Sequence, residues 1–474
     1  DHPTPMASRK KPVYEAVEIT DIEYRGHGIA RPEGKVLFVE DALPGEVVDA
    51  RVTKKKKDFA FARVLEYRRL SEKRVEPFCE HFGLCGGCRW QYLSYEDQLS
   101  YKQYFVAQVL ERIGKFRDLE VPDILGCESD RFYRNKLDFS FAAGRWLTDE
   151  EIASGEDVGD RRALGFHVRG RFDRVLDIET CYLQPDPSNE IRRAVRDFTL
   201  AEAYSYYDPV SHEGYLRSLI IRTSLAGEVL VIVVFAYEDA GARERLLEFI
   251  AERFPQITSL DYIINDSMND SIAPHEVHHY RGRGYINEVC GPNTLKIHPK
   301  SFYQTNPKQA ERLYEVVARF AALEGTETVY DLFCGIGSIA LYLAGSAARV
   351  IGIDNVEEAI ENARENAAYN GYENCEFLTG NVRDVLTPEF SSTHPAPDLV
   401  VLDPPRAGLH PDVVETLLAL RPPHIVYVSC NPATQARDLQ MLAGAYRIEA
   451  VQPVDMFPQT FHIENVADLR QIPR

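Results

Sequence analysis

From about Lys296 to the C-terminus, short apolar runs alternate with helix-length stretches. Thr328–Leu332, Val350–Asp354, Cys375–Leu378, Leu399–Asp403 and Ile425–Val428 read as strands, with Ile339–Ala344 and Val356–Tyr369 as helices between them. No other feature constrains the chain as much. Strands separated by helices run parallel, and a parallel sheet needs helices on both faces. The expectation is α/β, with a C-terminal doubly wound, Rossmann-like sheet. Ligands of such a sheet sit beyond the carboxyl ends of the strands.

Those ends carry the chemistry. Asp331-Leu332-Phe333-Cys334-Gly335-Ile336-Gly337 is a glycine loop whose backbone can approach a ligand closely. Asp354, ending the next strand, is placed to accept hydrogen bonds from ribose hydroxyls. The dinucleotide pattern Gly-x-Gly-x-x-Gly is incomplete, because Ala340 takes the third glycine's place. Asp331, Asp354 and Asp403-Pro404-Pro405 fit S-adenosylmethionine better than a nicotinamide dinucleotide.

Ser429-Cys430-Asn431-Pro432 then sets a cysteine at the end of a later strand. A lone cysteine is usually a buried structural residue. Here Asn-Pro makes a turn at the ligand edge of the sheet, which suggests covalent chemistry. Uracil gives a reason for both features. Its C5 is a poor nucleophile, but sulfur added at C6 makes C5 enolate-like and able to take a methyl group from a sulfonium. A base must remove the C5 proton before sulfur leaves. Glu464, in Phe461-His462-Ile463-Glu464-Asn465, is the candidate base; by itself it would read as a surface carboxylate on a terminal strand.

Gln304 in Phe302-Tyr303-Gln304-Thr305-Asn306, the Asp331–Gly337 loop, Asp403–Arg406, Ser429–Thr434 and Phe457–Glu464 together resemble the signature of RNA 5-methyluridine (uracil-C5) methyltransferases. They occur in the expected order over most of residues 300–470, and Arg134-Asn135-Lys136 upstream also fits. The resemblance implies that Gln304, Phe333, Asp354 and Asp403 contact S-adenosylmethionine, that Cys430 is the nucleophile and that Glu464 is the base. Two positions depart from it. Ser338 stands where relatives often have Thr or Asn, and Asn465 where Thr is common. Both are small and polar, so tuning rather than loss of activity is expected.

Upstream, Val13–Thr20, Val36–Val39, Val47–Thr53 and Phe59–Tyr67 read as short strands broken by Gly26-His27-Gly28, Leu43-Pro44-Gly45-Glu46 and Lys54–Lys57. Such spacing suggests a small β-barrel, and the segment resembles a TRAM domain, an OB-like barrel that binds RNA. The lysine run has the bland alternative of a solvated hairpin tip.

Cys79, Cys85 and Cys88 form C-x5-C-x2-C, with Cys181 far downstream. Four thiolates can hold zinc or an iron–sulfur cluster. Zinc ribbons favour two short pairs, and radical S-adenosylmethionine enzymes need C-x3-C-x2-C. Cys127 competes with Cys181 by distance alone. In the ribosomal-RNA branch of the resembled family this spacing carries a [4Fe-4S] cluster, which implies Cys181 as fourth ligand and a structural role. Cys290, Cys334, Cys375 and Cys127 have no motif partner.

Three domains are expected: a barrel at 12–70, a strand-rich central α+β domain that binds the cluster at 75–95 and 125–295, and a methyltransferase domain at 96–124 and 296–474. In the central region, Arg131–Phe141 and Ser218–Ala236 read as strands, Ala240–Arg253 as a helix and Asp149–Arg162 as a loop. The net charge of −19 argues against a purely electrostatic nucleic-acid binder, although residues 1–75 carry 16 Lys/Arg against 13 Asp/Glu. The polar start, Asp1–Pro12, has no apolar core like a signal peptide's, and Val229–Tyr237 is too short to span a bilayer. A cytoplasmic monomer is expected, with RNA as partner and neither DNA nor a membrane. Phosphates would be tracked by Arg131, Arg134, Lys136 and the barrel lysines, with Phe132 and Tyr133 against bases. Barrel and cluster together favour 23S ribosomal RNA, with transfer RNA as the alternative. The rivals are a non-catalytic assembly factor and an amino-group methyltransferase. Arg406, where the latter needs an aromatic residue, disfavours it.

Overall fold

A computed structural model describes residues 11–473. The start at 1–10, most of the segment read as unlike a signal peptide, lies outside them. Strands β1 (Val13–Glu18), β2 (Asp21–Ile22), β3 (Gly28–Ala30), β4 (Val36–Glu40), β5 (Val47–Lys55) and β6 (Phe59–Arg69) form one sheet in the order β1-β5-β6-β4-β3-β2. Their alternate residues Val17, Leu37, Val39, Val48, Val52 and Ala62 close on a single core. Gly28, read as part of a turn, opens the short β3. The corner Leu43–Glu46 is pinned by the buried Glu46, which accepts from the Leu43 amide at 2.9 Å and from Arg74 Nε at 2.6 Å.

The middle of the chain forms a seven-stranded sheet. Its strands are β7 (Lys136–Ala142), β8 (Ala163–His167), β9 (Val175–Asp177), β10 (Leu216–Thr223), β11 (Val229–Phe235), β12 (Ser259–Ile264) and β13 (Val277–Gly282), ordered β13-β12-β11-β10-β7-β8-β9. Two expectations are corrected here. The strand expected from Arg131 starts only at Lys136, because Phe132 adopts φ 53° and residues 132–134 bond instead to Tyr182 and Leu183. The segment expected as a loop contains a helix, Asp149–Ser154, started by a capping box in which Thr148 and Glu151 bond reciprocally.

After a hairpin of β14 (Ile286–Cys290) and β15 (Asn293–Ile297) comes the C-terminal sheet. Strands β16 (Thr328–Leu332), β17 (Arg349–Asp354), β18 (Cys375–Thr379), β19 (Leu399–Leu402), β20 (His424–Ser429), β21 (Tyr446–Val454) and β22 (Glu464–Gln471) take the order β18-β17-β16-β19-β20-β22-β21. The first five are parallel, and β22 is antiparallel to both neighbours. Successive residues feed opposite cores: Val329, Val401 and Val426 one, Tyr330, Val400 and Ile425 the other. Both faces are covered, as a parallel sheet requires.

The helix Tyr95–Arg112 is tied to this sheet. Lys102 and Asp455 are both fully buried and pair at 2.6 Å, and Tyr95 donates to the other Asp455 oxygen at 2.7 Å. Among the described residues no helix is long and apolar enough to cross a membrane.

Candidate active site

The glycine loop leaves β16 with Phe333 at φ 71°, Gly335 at 53° and Gly337 at 82°. At Gly337 a Cβ would stand 3.1–3.2 Å from Phe377 and Ala363, so a side chain there would crowd both and be strained at this positive φ. Phe333 and Cys334 donate their amides to the Ile353 carbonyl, and Asp354 accepts from the amides of Gly335 (2.9 Å) and Val356 (3.0 Å). Asp354 therefore shapes the loop as well as facing the ligand space. Gln304 enters from the segment before the helix Pro307–Ala321. Its backbone is held by Asn135, whose Nδ2 donates to the Gln304 carbonyl at 3.0 Å.

Cys430 follows β20 directly. Asn431 caps the helix Pro432–Leu442 by accepting from the Ala433 amide, and Pro432 occupies its first turn. The cysteine is thus fixed at a junction between strand and helix. Glu464 opens β22, which pairs with β20 up to Ser429 opposite Asn465. Cys430 and Glu464 are the residues next to that last pair, and the Glu464 charge acts on the thiol. Gln435 holds the pair of strands by donating to the carbonyls of Tyr427 and Asn465, and the Asn465 side chain donates back to Gln435. Asn465, noted as a departure from the resembled pattern, thus fits a buried bonded site. Ser338, the other departure, shares a hydrogen bond with Tyr314.

One cavity of about 1330 Å³ is lined by Gln304, Phe333, Asp354, Asp403, Cys430 and Glu464 together. Its electrostatics are those of crowded acids. Burial, then Asp403, pushes the Glu464 carboxyl well above its usual range, and Arg406 opposes the shift. Burial raises Asp403 to about 7. Burial, Glu464 and Asp403 raise the Cys430 thiol to about 11, again against Arg406. In the free protein the thiol is therefore neutral at pH 7, and the Glu464 carboxyl holds its proton more tightly than an ordinary carboxyl does. Asp331 lies buried beneath the loop with both carboxylate oxygens lacking a hydrogen-bond partner.

Arg406 and His462, motif residues to which the resemblance assigns no role, stand beside the thiol. Arg406 donates to the imidazole of His462, whose pKa is held at about 4 by burial and then by that guanidinium. Tyr24 and Arg25, in the loop between β2 and β3, line an adjoining cavity of about 330 Å³ with Arg406, Cys430 and His462. Nothing local in the sequence ties residue 25 to residue 430.

Cys79, Cys85, Cys88 and Cys181 line a third cavity, of about 490 Å³. Burial raises Cys88 and Cys181 to about 12, and neighbouring thiols add to both shifts. Among the described residues no three ligating side chains close around a single ion. Cys127 is elsewhere, donating to the Asp455 carbonyl. Arg134, Phe302, Tyr303 and Thr460 line both this cavity and the large one. Lys136 also lines this cavity, and Tyr133, expected against bases, is buried with its hydroxyl on the Pro458 carbonyl.

Comparison with known proteins agrees with this geometry. The family model for tRNA (uracil-5-)-methyltransferase matches residues 293–471, and the TRAM domain model matches residues 14–65. An uncharacterized RNA methyltransferase of Bacteroides thetaiotaomicron is 49% identical over 93% of this chain and 98% of its own length. The chain belongs to the tRNA (uracil-5-)-methyltransferase family. Another relative, an uncharacterized RNA methyltransferase of Chlorobaculum tepidum, is 40% identical over 92% of this chain and 91% of its own. The crystal structure of Pyrococcus abyssi tRNA (uracil-54, C5)-methyltransferase in complex with S-adenosyl-L-homocysteine superposes with a TM-score of 0.73. It is 30% identical and covers 95% of this chain and 99% of that one. The methyltransferase is an S-adenosylmethionine-dependent RNA uracil-5 enzyme with an N-terminal TRAM barrel.

Proposed function

We propose that this enzyme methylates C5 of a specific uridine in 23S ribosomal RNA through a covalent bond between Cys430 and C6. The observation that carries the reading is that Cys430 and Glu464 line the one cavity that Gln304, Phe333, Asp354 and Asp403 also line. S-adenosylmethionine supplies an electrophilic methyl group on a sulfonium. Gln304, Phe333, Asp354 and Asp403 bind and orient that donor.

The Cys430 thiol gives up its proton to solvent, with the Arg406 charge favouring the thiolate, and the sulfur adds to C6, giving an enolate-like C5. That carbon takes the methyl group while the donor's methyl–sulfur bond breaks. Glu464 removes the C5 proton, the C5–C6 double bond re-forms and the thiolate leaves. The order of charges favours this sequence. Once sulfur is bonded to carbon it carries no charge, so Glu464 ionises without facing a thiolate.

Cys79, Cys85, Cys88 and Cys181 are the residues that would hold a [4Fe-4S] cluster. An all-thiol donor set lining one shared cavity supports a cluster. Its role is structural. The domain reading that goes with it assigns 12–70 to the barrel, 75–95 with 125–295 to the cluster domain, and 96–124 with 296–474 to the methyltransferase domain. The pairing of Lys102 with Asp455 supports placing residue 102 with the last of these.

Transfer RNA is the second reading, favoured by the substrate named for the Pyrococcus protein. Nucleoside mass spectrometry of ribosomal and transfer RNA, each incubated with enzyme and methyl-labelled S-adenosylmethionine, separates the two. Labelled 5-methyluridine in ribosomal RNA alone supports the proposal, and label only in transfer RNA overturns the substrate. The Cys430→Ala enzyme serves as blank.

A further inference from the structure

The TRAM barrel has an apolar face that its own core does not use. In the parallel pair β4/β6, Val36 stands opposite Phe59 and Phe38 opposite Phe61. Leu37, Val39 and Ala62, the alternate residues, point into the barrel. The three phenylalanines are half-buried, chiefly against one another. Their ring centroids lie 5.5–5.6 Å apart, and His27 joins them at 5.6 Å from Phe61. The partly buried apolar residues that pack on the barrel core are Tyr14, Ala60 and Val64, so these rings are not among them.

Exposed cations border the rings, with Glu40 opposite Arg63 on the β4 side. Arg63 follows Phe61 on the same face of β6 and stands directly opposite Arg51, and Lys54 stands opposite Phe61. Two arginines in register repel each other and cost stability unless an anion joins them. All three residues are exposed, and among the described residues none of them forms an ion pair. The face therefore alternates flat rings with cations, the combination that single-stranded nucleic acid fills with bases and phosphates. A duplex hides its base faces and would leave the rings unused.

The same face leads to the active site. His27 is bonded to Glu23 at 2.5 Å, and the intervening Tyr24 and Arg25 reach the cavity beside Cys430. We propose that Phe38, Phe59 and Phe61, flanked by Arg51, Arg63 and Lys54, stack single-stranded nucleotides next to the target uridine. The inference rests on the RNA methyltransferase reading and adds to it the form of the substrate: an unpaired strand beside the modified base.

The test uses the full-length protein and a fluorescein-labelled oligoribonucleotide of roughly 12 nucleotides, single-stranded or annealed to its complement. Fluorescence anisotropy of wild type should show preference for the single strand. Phe38→Ala with Phe61→Ala should weaken single-strand binding about tenfold or more, the scale of lost base stacking. Duplex binding should not change. Phe38→Leu with Phe61→Leu keeps the apolar volume while removing the rings, so its loss of affinity cannot be a folding defect. Binding of S-adenosylhomocysteine by calorimetry, unchanged in both variants, reports an intact C-terminal sheet. Equal affinity of the Phe variants and wild type overturns the proposal. So does preference for the duplex, or a loss confined to Arg51→Gln and Arg63→Gln. A protein that binds the single strand through these rings yet methylates no uridine keeps the surface and loses the functional reading.

Discussion

Cys430 and Glu464 line one cavity, each next to the Ser429–Asn465 pair that ends the β20/β22 ladder. Burial raises both groups, the Glu464 charge adds to the shift of the thiol, and Asp403 adds to both. This coupling makes their order of use testable.

Glu464→Gln should trap RNA bound through Cys430, because sulfur cannot leave while the C5 proton remains. Turnover should fall by roughly 10²–10⁴, and a denaturing gel should show protein linked to RNA. Absence of the adduct, with RNA binding intact, would count against Glu464 as the base.

Arg406 holds the Cys430 thiol lower than its burial would otherwise set it. Arg406→Gln should therefore shift the alkaline limb of Cys430 alkylation to higher pH and slow alkylation several-fold at pH 8. Peptide mass spectrometry, resolving Cys430 from the other thiols, checks this. Arg406→Lys should recover part of the rate by restoring the charge.

Burial raises Asp403 to about 7. Between the ordinary carboxylate value of about 4 and this one, the folded state holds its proton more tightly than the unfolded chain. Stability contributed by this group is full at the low end, is lost as pH rises toward 7, and stays lost above. Asp403→Asn should thus gain on wild type with increasing pH from 5 to 8, by about 1 kcal/mol or more. Unfolding midpoints of the ligand-free proteins across that range give the answer, and a constant difference would contradict it.

Lys102→Met should cost about 3–5 kcal/mol, since it leaves the Asp455 carboxylate buried without its cation. Thermal unfolding should show the drop. The double variant Lys102→Met with Asp455→Leu should recover much of it, as replacement of a buried ion pair by apolar groups often does.

Protein purified without oxygen should contain about four iron and four sulfide per chain. Cys181→Ser should lose most of the iron, whereas Cys127→Ser should keep it. Stoichiometric zinc in place of iron would reject the cluster.

Much of this molecule was legible in the chain. The alternation of β and α segments, the glycine loop, the strand ends at Asp354 and Asp403 and the turn at Asn431-Pro432 are local signals, set by periodicity, capping and the freedom of glycine. The barrel strands could be read in the same way, and so could Thr148 and Glu151, whose capping box marks a helix that strand spacing alone did not suggest. What tertiary structure alone decided is which distant residues meet. Antiparallel pairing brings Glu464 to Cys430 across 34 positions, and the barrel loop brings Arg25 to both Cys430 and Arg406. Positive φ at Phe132 delays β7 and hands residues 132–134 to Tyr182 and Leu183, beside the fourth cysteine. Register, burial and the resulting pKa shifts depend on neighbours from other segments. Local sequence can therefore nominate these residues, while their meeting and their charge arise only when the sheets close.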